Sequence, residues 1–267
     1  MIRKLTYTIA DTAPYINWPY FDYAWGVGSK GREQRAGLRA EAEDMLSKLD
    51  GHFSVYALFG LFDANSDGDD IIVGSTRLPM LRQQQVARTG EPCLCLADFI
   101  RPLSSGCADR IGIFATSTDH ALTEQHRGDP YMQMLMQTLA DRLAEAAAER
   151  MHEEVRKHYW GYAPDEHLTM QQLHIEAFQG IRPAVGYPSL PDTSLNFIID
   201  DLIDLRQIGI RLTESGMMMP HASVSGLMMA HPKARYFSIG KIGEDQLRDY
   251  AHRRGIPVEL ARGVLNQ

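Results

Sequence analysis

The sequence is poor in cysteine, with three residues, Cys93, Cys95 and Cys107, among 267. A disulfide framework needs more cysteines than this, and a structural zinc site needs four well-spaced ligands. An odd set without a Cys-x-x-Cys pair supplies neither. We therefore expect all three to be reduced, small residues of the core.

The sequence also lacks an excess of positive charge and any long apolar run. Lysine and arginine number 27 against 34 aspartates and glutamates, which gives a net charge of −7, so no nucleic-acid or anionic-membrane partner is expected. The longest apolar stretch, residues 55–62, is far shorter than a membrane span. Because Asp11 comes before any apolar signal-peptide core, we expect a cytoplasmic protein.

The chain is nevertheless long enough to form a substantial core. Its 267 residues allow one large domain or two small ones, and no linker separates halves of different composition. Thirteen methionines, some of them adjacent as at 217–219, are predicted mainly to fill irregular core space.

Apolar residues recur with helical or strand periodicity along most of the chain. The pattern predicts helices at 33–49, 131–158, 195–209 and 244–254, a capping box at 169–172, and a last helix with Pro257 at its first position. It predicts strands at 54–62, 70–74, 110–116, 222–230 and 235–239. Helices and strands do not alternate regularly, so the expected class is α+β.

Several motifs of enzymes and metal proteins occur only in part. The segment 26–31 spells Gly-x-Gly-x-x-Gly, but it lacks the preceding buried strand that a dinucleotide site needs. The segment 63–68 begins like a calcium loop, yet the twelfth position is Gly74, so a surface hairpin turn is expected. His167 matches part of the cobalamin-ligand motif Asp-x-His-x-x-Gly, whose glycine is replaced by Met170. We therefore predict neither a catalytic side chain nor a metal site in this chain.

The most informative segment, residues 176–191, is irregular. Three prolines stiffen it and two glycines bend it: Pro183, Pro188, Pro191, Gly180 and Gly186. Within it, Arg182 can bind a carboxylate through two hydrogen bonds, and Tyr187 offers a ring face and a hydroxyl. The residues alone fit two interpretations equally. One is a recognition loop for a small anionic or zwitterionic ligand, and the other is a rigid surface loop whose Arg182 forms a structural salt bridge.

The part of this segment from Gly180 to Pro188 resembles the S-adenosylmethionine loop of the activation domain of cobalamin-dependent methionine synthase. The resemblance continues, in order, over nearly the whole chain. It is carried by Asn17-Trp18-Pro-Tyr-Phe, Asp69-Asp70-Ile, Arg82-Gln-Gln, Cys95-Leu-Ala-Asp-Phe99, Leu139-Ala-Asp-Arg-Leu-Ala-Glu-Ala146, Trp160-Gly-Tyr-Ala163, Leu212-Thr-Glu-Ser215, Ala222-Ser-Val-Ser-Gly226 and His231-Pro232. Because these motifs run without a break, we expect residues 1–267 to form a single domain.

The resemblance implies a C-shaped α+β domain in which helices flank a twisted, mostly antiparallel sheet. It also implies an S-adenosylmethionine site formed by Asn17, Glu176, Arg182, Ala184, Gly186, Tyr187, Tyr236 and Phe237. In that site Arg182 would pair with the ligand carboxylate, and backbone groups around Ala184 and Gly186 would hold the ligand. Tyr187 would lie beside the transferring methyl group and the corrin ring. Glu145 matches another acidic position near the site, although a salt bridge on the helix surface is also a fair interpretation.

One residue departs from the family pattern. Where the family has an aspartate before the early tryptophan, this sequence has Asn17. The aspartate receives the ammonium group of the ligand, and an amide oxygen can still accept that hydrogen bond, but without the opposite charge. We therefore expect weaker S-adenosylmethionine binding than a chain with aspartate at this position would show.

The resemblance further implies reductive reactivation. In that reaction cob(II)alamin receives one electron from a flavodoxin-like donor and a methyl group from S-adenosylmethionine, which gives methylcobalamin. This chain has no cobalamin-ligand motif, so we expect it to act on cobalamin presented by a separate methionine synthase chain. Two alternatives stay open: reactivation of a corrinoid protein from another methyl-transfer pathway, and a module that only binds or senses S-adenosylmethionine.

Overall fold

The computed structural model describes residues 1–28, 31–86, 90–124, 126 and 128–265. Within these ranges, no helix is both long and apolar enough to cross a membrane. The strands are β1 Ile2–Tyr7, β2 Val55–Asp67, β3 Asp70–Val73, β4 Thr76–Pro79, β5 Asp109–Thr118, β6 Arg211–Leu212, β7 Met218–Met219 and β8 Ser223–Met228. The α-helices are α1 Ile9–Thr12, α2 Trp18–Ala24, α3 Arg32–Leu49, α4 His120–Thr123, α5 Pro130–Glu154, α6 Met170–His174, α7 Leu195–Ile203, α8 Glu244–Arg254 and α9 Val258–Leu265.

Strand β2 is the centre of the main sheet, because it is long enough to pair with three neighbours. Its first part pairs with β1 and β5, and its last residues pair with β3, always antiparallel. The strand order is β4-β3-β2-β5-β8, with β1 alongside β2. Neighbouring residues of β2 face opposite sides, so that Phe59 packs in one buried cluster and Leu58 in another. Both faces of the strand are therefore covered, which explains its nearly continuous apolar sequence.

Helix α5 covers one face of the sheet. Pro130 begins it, and the Asp129 side chain caps it by accepting hydrogen bonds from two N–H groups of the first turn. Apolar side chains of the helix, such as Leu139, are fully buried in the cluster on that face. The Thr116 hydroxyl of β5 also donates to the Ala144 carbonyl oxygen at 2.8 Å. Helix and sheet are thus held in a fixed register.

Most of the predicted helices are confirmed. The confirmed features are the helices at 33–49, 131–158 and 244–254 and the capping box of Thr169 and Gln172. The long helix ends in a π-helical turn at Val155–Tyr159. Pro257 lies one residue before α9 instead of at its first position, and its carbonyl oxygen accepts the hydrogen bond of the Ala261 N–H.

The helix predicted at 195–209 ends early. Helix α7 stops at Ile203, because Asp204 adopts a left-handed backbone conformation with φ of 54° that a continuing helix does not allow. The Asp200 carboxylate accepts a hydrogen bond at 2.8 Å from the first N–H of the 3₁₀ turn Leu205–Ile208. That bond stabilises the break.

The predicted strands are confirmed with one exception, the segment 235–239. It has no regular secondary structure, because the edge of β8 to which it could add is already occupied. The irregular segment pairs there instead, through Ile181 with Met229 and Ala184 with Gly226. The prediction of a fifth strand region was therefore wrong.

The segments 26–31 and 63–68 do not have the surroundings of the sites that they resemble. The segment 26–31 follows helix α2, where a dinucleotide loop would follow a buried strand, and its residues 29 and 30 lie outside the described part of the chain. In the segment 63–68, residues up to Asp67 continue β2, and Asp67 pairs with Asp70 across a tight turn. The hairpin turn is confirmed, and its loop is shorter than predicted.

Two expectations drawn from composition are partly wrong. Cys95 is buried as predicted, whereas Cys93 is partly exposed and Cys107 is exposed because it lies in a surface bend. Met217 and Met219 are 49% and 55% exposed. They belong to the short β6–β7 hairpin at the surface, so they do not fill the core.

Candidate ligand-binding site

Helix α5 and the turn after it carry a polar stripe on an otherwise buried side. Polar side chains follow one another there at steps of three and four residues: Arg142, Glu145, Glu149, His152 and Arg156. Such steps place side chains on one face of a helix. Glu149, His152 and Arg156 are buried, so their charges and hydrogen bonds have to be satisfied within the protein.

The irregular segment lies along the edge of β8. The Val185 N–H donates to the Ser225 carbonyl oxygen at 2.9 Å, and the Leu227 N–H donates to the Pro183 carbonyl oxygen at 3.0 Å. This close approach requires Gly226, because a Cβ atom there would lie 2.2 Å from the Pro183 oxygen. The sheet edge therefore fixes the segment in place beside α5.

A cleft of about 650 Å³ lies between α5, the irregular segment and the turn before α2, within the range of about 300–1,000 Å³ typical of small-molecule sites. The predicted site residues that line it are Asn17, Glu176, Arg182, Ala184, Tyr187, Tyr236 and Phe237. Gly186 does not line it. Gly186 is exposed, has φ of 87°, and donates its N–H to the Leu190 carbonyl oxygen at 2.8 Å. This glycine bends the loop.

Arg182 forms a buried salt bridge in the wall of the cleft. Its Nη1 and Nη2 donate to Oε1 and Oε2 of Glu149 at 3.0 and 2.6 Å. The two side chains are only 17% and 8% exposed, so water screens this bidentate pair weakly. The structural salt bridge of the second interpretation is therefore present. Arg182 also lines a ligand-sized cleft, and the recognition loop of the first interpretation stays a prediction.

His152 joins this pair to a second buried arginine. Its Nδ1 is 2.9 Å from Nη1 of Arg156 and 3.4 Å from Nη1 of Arg182. Because a guanidinium only donates, Nδ1 has to accept, which assigns the ring proton to Nε2. Burial, together with the charges of the two arginines, lowers the pKa of His152 well below its ordinary value. Arg156 also binds Glu166 at 2.6 Å, so each buried cation has a carboxylate partner.

Glu145 lies one turn before Glu149. It forms a salt bridge on its helix and also lines the cleft. Its carboxylate accepts hydrogen bonds from Nη1 and Nη2 of Arg142 at 2.6 and 2.9 Å, and it lines the cleft. Burial raises the pKa of Glu145, against the opposing effect of the Arg142 charge. A cationic ligand in the cleft would favour the ionised carboxylate.

Glu176 and Asn17 bring polar groups without partners to the wall of the cleft. Within the described ranges, the Glu176 side chain has no hydrogen bond or ion pair, and its backbone is left-handed with φ of 57°. Burial raises the pKa of Glu176, while the charge of Arg182 acts in the opposite direction. Asn17 precedes α2 but makes no side-chain capping bond to it. Both side chains are therefore available to a ligand.

Two tyrosines, Tyr236 and Tyr187, lie in the cleft wall with different contacts and exposure. The Tyr236 hydroxyl oxygen accepts a hydrogen bond at 2.9 Å from the backbone N–H of Arg182, so the segment that contains Tyr236 and Phe237 helps to hold the loop. Tyr187 lies in the cleft wall but is 53% exposed. A partner approaching from outside can therefore contact Tyr187.

The ionisable groups of the cleft give it a small negative excess. Its carboxylates and guanidinium groups belong to Glu145, Glu149, Glu176, Arg142 and Arg182. With all of them ionised, the wall carries one more negative than positive charge, which suits a ligand that has a carboxylate of its own but a net positive charge. Within the described residues, no group of histidine, cysteine, aspartate or glutamate side chains could hold a metal ion. The size and charge of the cleft therefore suit a small zwitterionic or cationic molecule.

The chain belongs to the family of vitamin B12 dependent methionine synthase activation domains, whose model matches residues 8–255. It is also similar to a protein seen in a crystal structure of the MetH reactivation domain bound to AdoHcy. The two share 37% identity and a TM-score of 0.93, and the match covers 100% of this chain and 89% of that chain. The family resemblance and the α+β fold with a mostly antiparallel sheet are thereby confirmed.

Glu149, His152 and Arg142 were not among the residues predicted for the site. The apolar stripe of α5 correctly locates the face packed on the sheet, but it does not indicate these residues. Their steps of three and four residues place them on one face of the helix. That spacing does not distinguish a buried polar stripe from a solvent-exposed one, because charged residues within a helix are usually exposed.

Proposed function

We propose that this protein binds S-adenosylmethionine in the cleft and supports the reductive methylation of cob(II)alamin held by a separate cobalamin-binding methionine synthase chain. The observation that carries the proposal is the charge pattern of a ligand-sized cleft in a member of the activation-domain family. S-adenosylmethionine has a carboxylate, an ammonium and a sulfonium group, so its net charge is positive and complements the cleft. The similar domain bound to AdoHcy supports the same ligand class.

The residues of the cleft fit this ligand. In this proposal Arg182 holds the carboxylate. Glu176 and Asn17, whose side chains make no hydrogen bond within the described residues, receive the ammonium group. Glu145 adds a carboxylate whose ionised form a sulfonium stabilises. Tyr187, half exposed in the wall, leaves the ligand accessible to a corrin ring. We therefore expect the amino-acid end to be enclosed and the methyl group to face the opening.

In the proposed reaction, cob(II)alamin of the partner is the substrate and a flavodoxin-like protein supplies one electron. The reduced corrinoid provides the electron pair of the new cobalt–carbon bond, and the carbon–sulfur pair stays on sulfur as the sulfonium loses its methyl group. The products are methylcobalamin and AdoHcy. No proton is transferred, so no general base is needed. The protein contributes binding and orientation.

The test combines the purified protein, S-adenosylmethionine, a reduced flavodoxin and the cob(II)alamin form of a separately purified cobalamin-binding module of methionine synthase. We expect the absorbance of cob(II)alamin to change to that of methylcobalamin only when the protein and S-adenosylmethionine are both present. Arg182→Ala should abolish the conversion. The control is Arg206→Ala, which removes an arginine whose side chain is 78% exposed. This variant should leave the conversion unchanged.

Each other outcome overturns a defined part of the proposal. Conversion at the same rate without the protein contradicts a reactivation role. Conversion only with a corrinoid protein of another methyl-transfer pathway contradicts the choice of partner. If the protein binds S-adenosylmethionine but supports methylation of no corrinoid, it is a binding or sensing module.

A further inference from the structure

Arg182 faces the cleft with part of its hydrogen-bonding capacity already used. A guanidinium carries five N–H groups. Glu149 accepts one from Nη1 and one from Nη2, and Nδ1 of His152 lies 3.4 Å from Nη1. Both acceptors are thus at the Nη end of the group.

The other edge of the guanidinium is free. Nε of Arg182 has no hydrogen-bond partner in the part of the chain that the structure describes. The Nε–H and the second N–H of Nη2 point in parallel from one edge of the planar group, and a carboxylate can accept both. Glu149 therefore does not occupy the edge that a ligand carboxylate needs.

A second buried arginine near Arg182 explains why Arg182 needs a salt-bridge partner to keep its position. The buried guanidinium of Arg156 shares His152 with Arg182, so two positive charges lie close together. The guanidinium carbons of Arg156 and Arg182 lie over the Phe178 ring, at 4.1 and 5.9 Å from its centre. An arginine side chain has many rotamers, and repulsion from Arg156 would drive Arg182 away from this position. The carboxylate of Glu149 offsets that repulsion, and the neutral ring of His152 separates the two cations.

We propose that Glu149, supported by His152, is a positioning residue that directs the free Nε edge of Arg182 toward the carboxylate of the bound ligand. This inference rests on the proposed function, because the carboxylate is that of S-adenosylmethionine. Glu149 acts on the ligand through Arg182 and not through its own charge. Its removal should therefore weaken the binding only of ligands that have the carboxylate.

The experiment compares S-adenosylmethionine with decarboxylated S-adenosylmethionine, which lacks only the carboxylate and carries one more positive charge. Calorimetry measures the Kd of both ligands for the wild type and for Glu149→Gln. We expect the Kd of S-adenosylmethionine to rise about tenfold, as expected for loss of about 1.4 kcal/mol, and the Kd of the decarboxylated ligand to stay the same. If Glu149 attracted cations only by its charge, the decarboxylated ligand would lose at least as much affinity.

Two further variants keep the test decisive. Glu149→Asp keeps the charge but shortens the side chain, so it should fold if Glu149→Gln does not, and it should weaken S-adenosylmethionine selectively. Glu154→Gln is the matched control, because Glu154 lies on the same helix and pairs with Arg150 and Tyr7 outside the cleft. This control should change neither Kd.

The outcomes separate this inference from the proposed function. A wild-type protein that binds no S-adenosylmethionine contradicts the proposed function itself. If the wild type binds S-adenosylmethionine, an unchanged or lower Kd for it in both Glu149 variants overturns the positioning role. A lower Kd would mean that Glu149 competes with the ligand carboxylate for Arg182. An equal loss for both ligands also overturns it.

Discussion

Asn17 lies in the wall of the cleft and makes no capping hydrogen bond to helix α2. A hydrogen bond to a charged acceptor is stronger than one to a neutral amide, by about 1 kcal/mol or more. We predict that Asn17→Asp lowers the Kd for S-adenosylmethionine about fivefold to tenfold, measured by calorimetry.

The control for this substitution adds the same charge elsewhere. Gln34→Glu does so on the exposed side of α3 and should leave the Kd unchanged. If Asn17→Asp gives no gain in affinity, the amide of Asn17 does not face the ammonium group of the ligand. The departure from the family pattern would then have no cost for binding.

The cleft carboxylates make ligand binding depend on pH. Burial raises the pKa of Glu145 and of Glu176, whereas a bound cation favours their ionised forms. The raised pKa of each carboxyl lies above its ordinary value of 4.5. S-adenosylmethionine should therefore bind tightly above the raised pKa and more weakly as the pH falls through it. Binding at mildly acidic pH should release protons.

Calorimetry in two buffers of different ionisation enthalpy measures this proton release. Glu145→Gln and Glu176→Gln should each reduce it, whereas Glu154→Gln, outside the cleft, should not. A Kd in the wild type that stays constant as the pH falls to the ordinary glutamate pKa of 4.5 would contradict the prediction. It would mean that neither carboxylate faces the positive groups of the ligand.

Single residues of the site were predictable to different degrees. Arg182 and Tyr187 stand out in the sequence because prolines and glycines isolate them in a stiff loop. Glu149 and His152 do not, because charged residues within a helix are usually solvent-exposed and only the folded sheet shows that this face is covered. The salt bridge between Glu149 and Arg182 joins positions far apart in the chain, and no local pattern encodes it.

At the scale of elements, the irregular segment behaves as an extra partner of β8. Its backbone bonds to the strand edge require the missing side chain of Gly226, whose Cβ would meet the Pro183 oxygen at 2.2 Å and the Ala184 Cα at 2.9 Å. We predict that Gly226→Ala displaces the loop and raises the Kd for S-adenosylmethionine at least tenfold, measured by calorimetry. The circular dichroism spectrum should keep its helix and strand content.

A second glycine of the same sheet provides the control. A Cβ at Gly112 would meet the side chain of Met228 at 2.7 Å, away from the loop. Gly112→Ala should therefore lower the unfolding temperature without changing the Kd. If both substitutions raise the Kd equally, general loss of stability and not displacement of the loop explains the effect.

The wrong strand prediction at 235–239 has the same structural cause. A strand needs a free edge, and the edge of β8 is taken by the loop, which shows no strand periodicity in the sequence. Periodicity located the long elements α3, α5 and β2, since each buries a continuous face. It could not decide which of two extended segments pairs with β8, because that choice depends on contacts between distant parts of the chain.

At the scale of the whole molecule, the cleft is assembled from segments that are far apart in the sequence. Asn17, Glu145, Arg182 and Tyr236 all line it, and each belongs to a different part of the fold. A ligand that contacts all four adds links between them. It should therefore stabilise the native protein as a unit, by about 2.7 kcal/mol when its concentration is one hundred times the Kd.

We predict that S-adenosylmethionine raises the unfolding temperature and slows amide hydrogen exchange in all the cleft segments together. Mass spectrometry should detect added protection around residues 15–24, 176–190 and 234–240, because we expect their backbone to exchange faster than the interior of α5 in the free protein. Arg182→Ala with the same ligand concentration should show neither effect. Protection confined to residues 176–190 would contradict the prediction, because the ligand would then contact the loop without joining it to the N-terminal turn and to the segment of Tyr236.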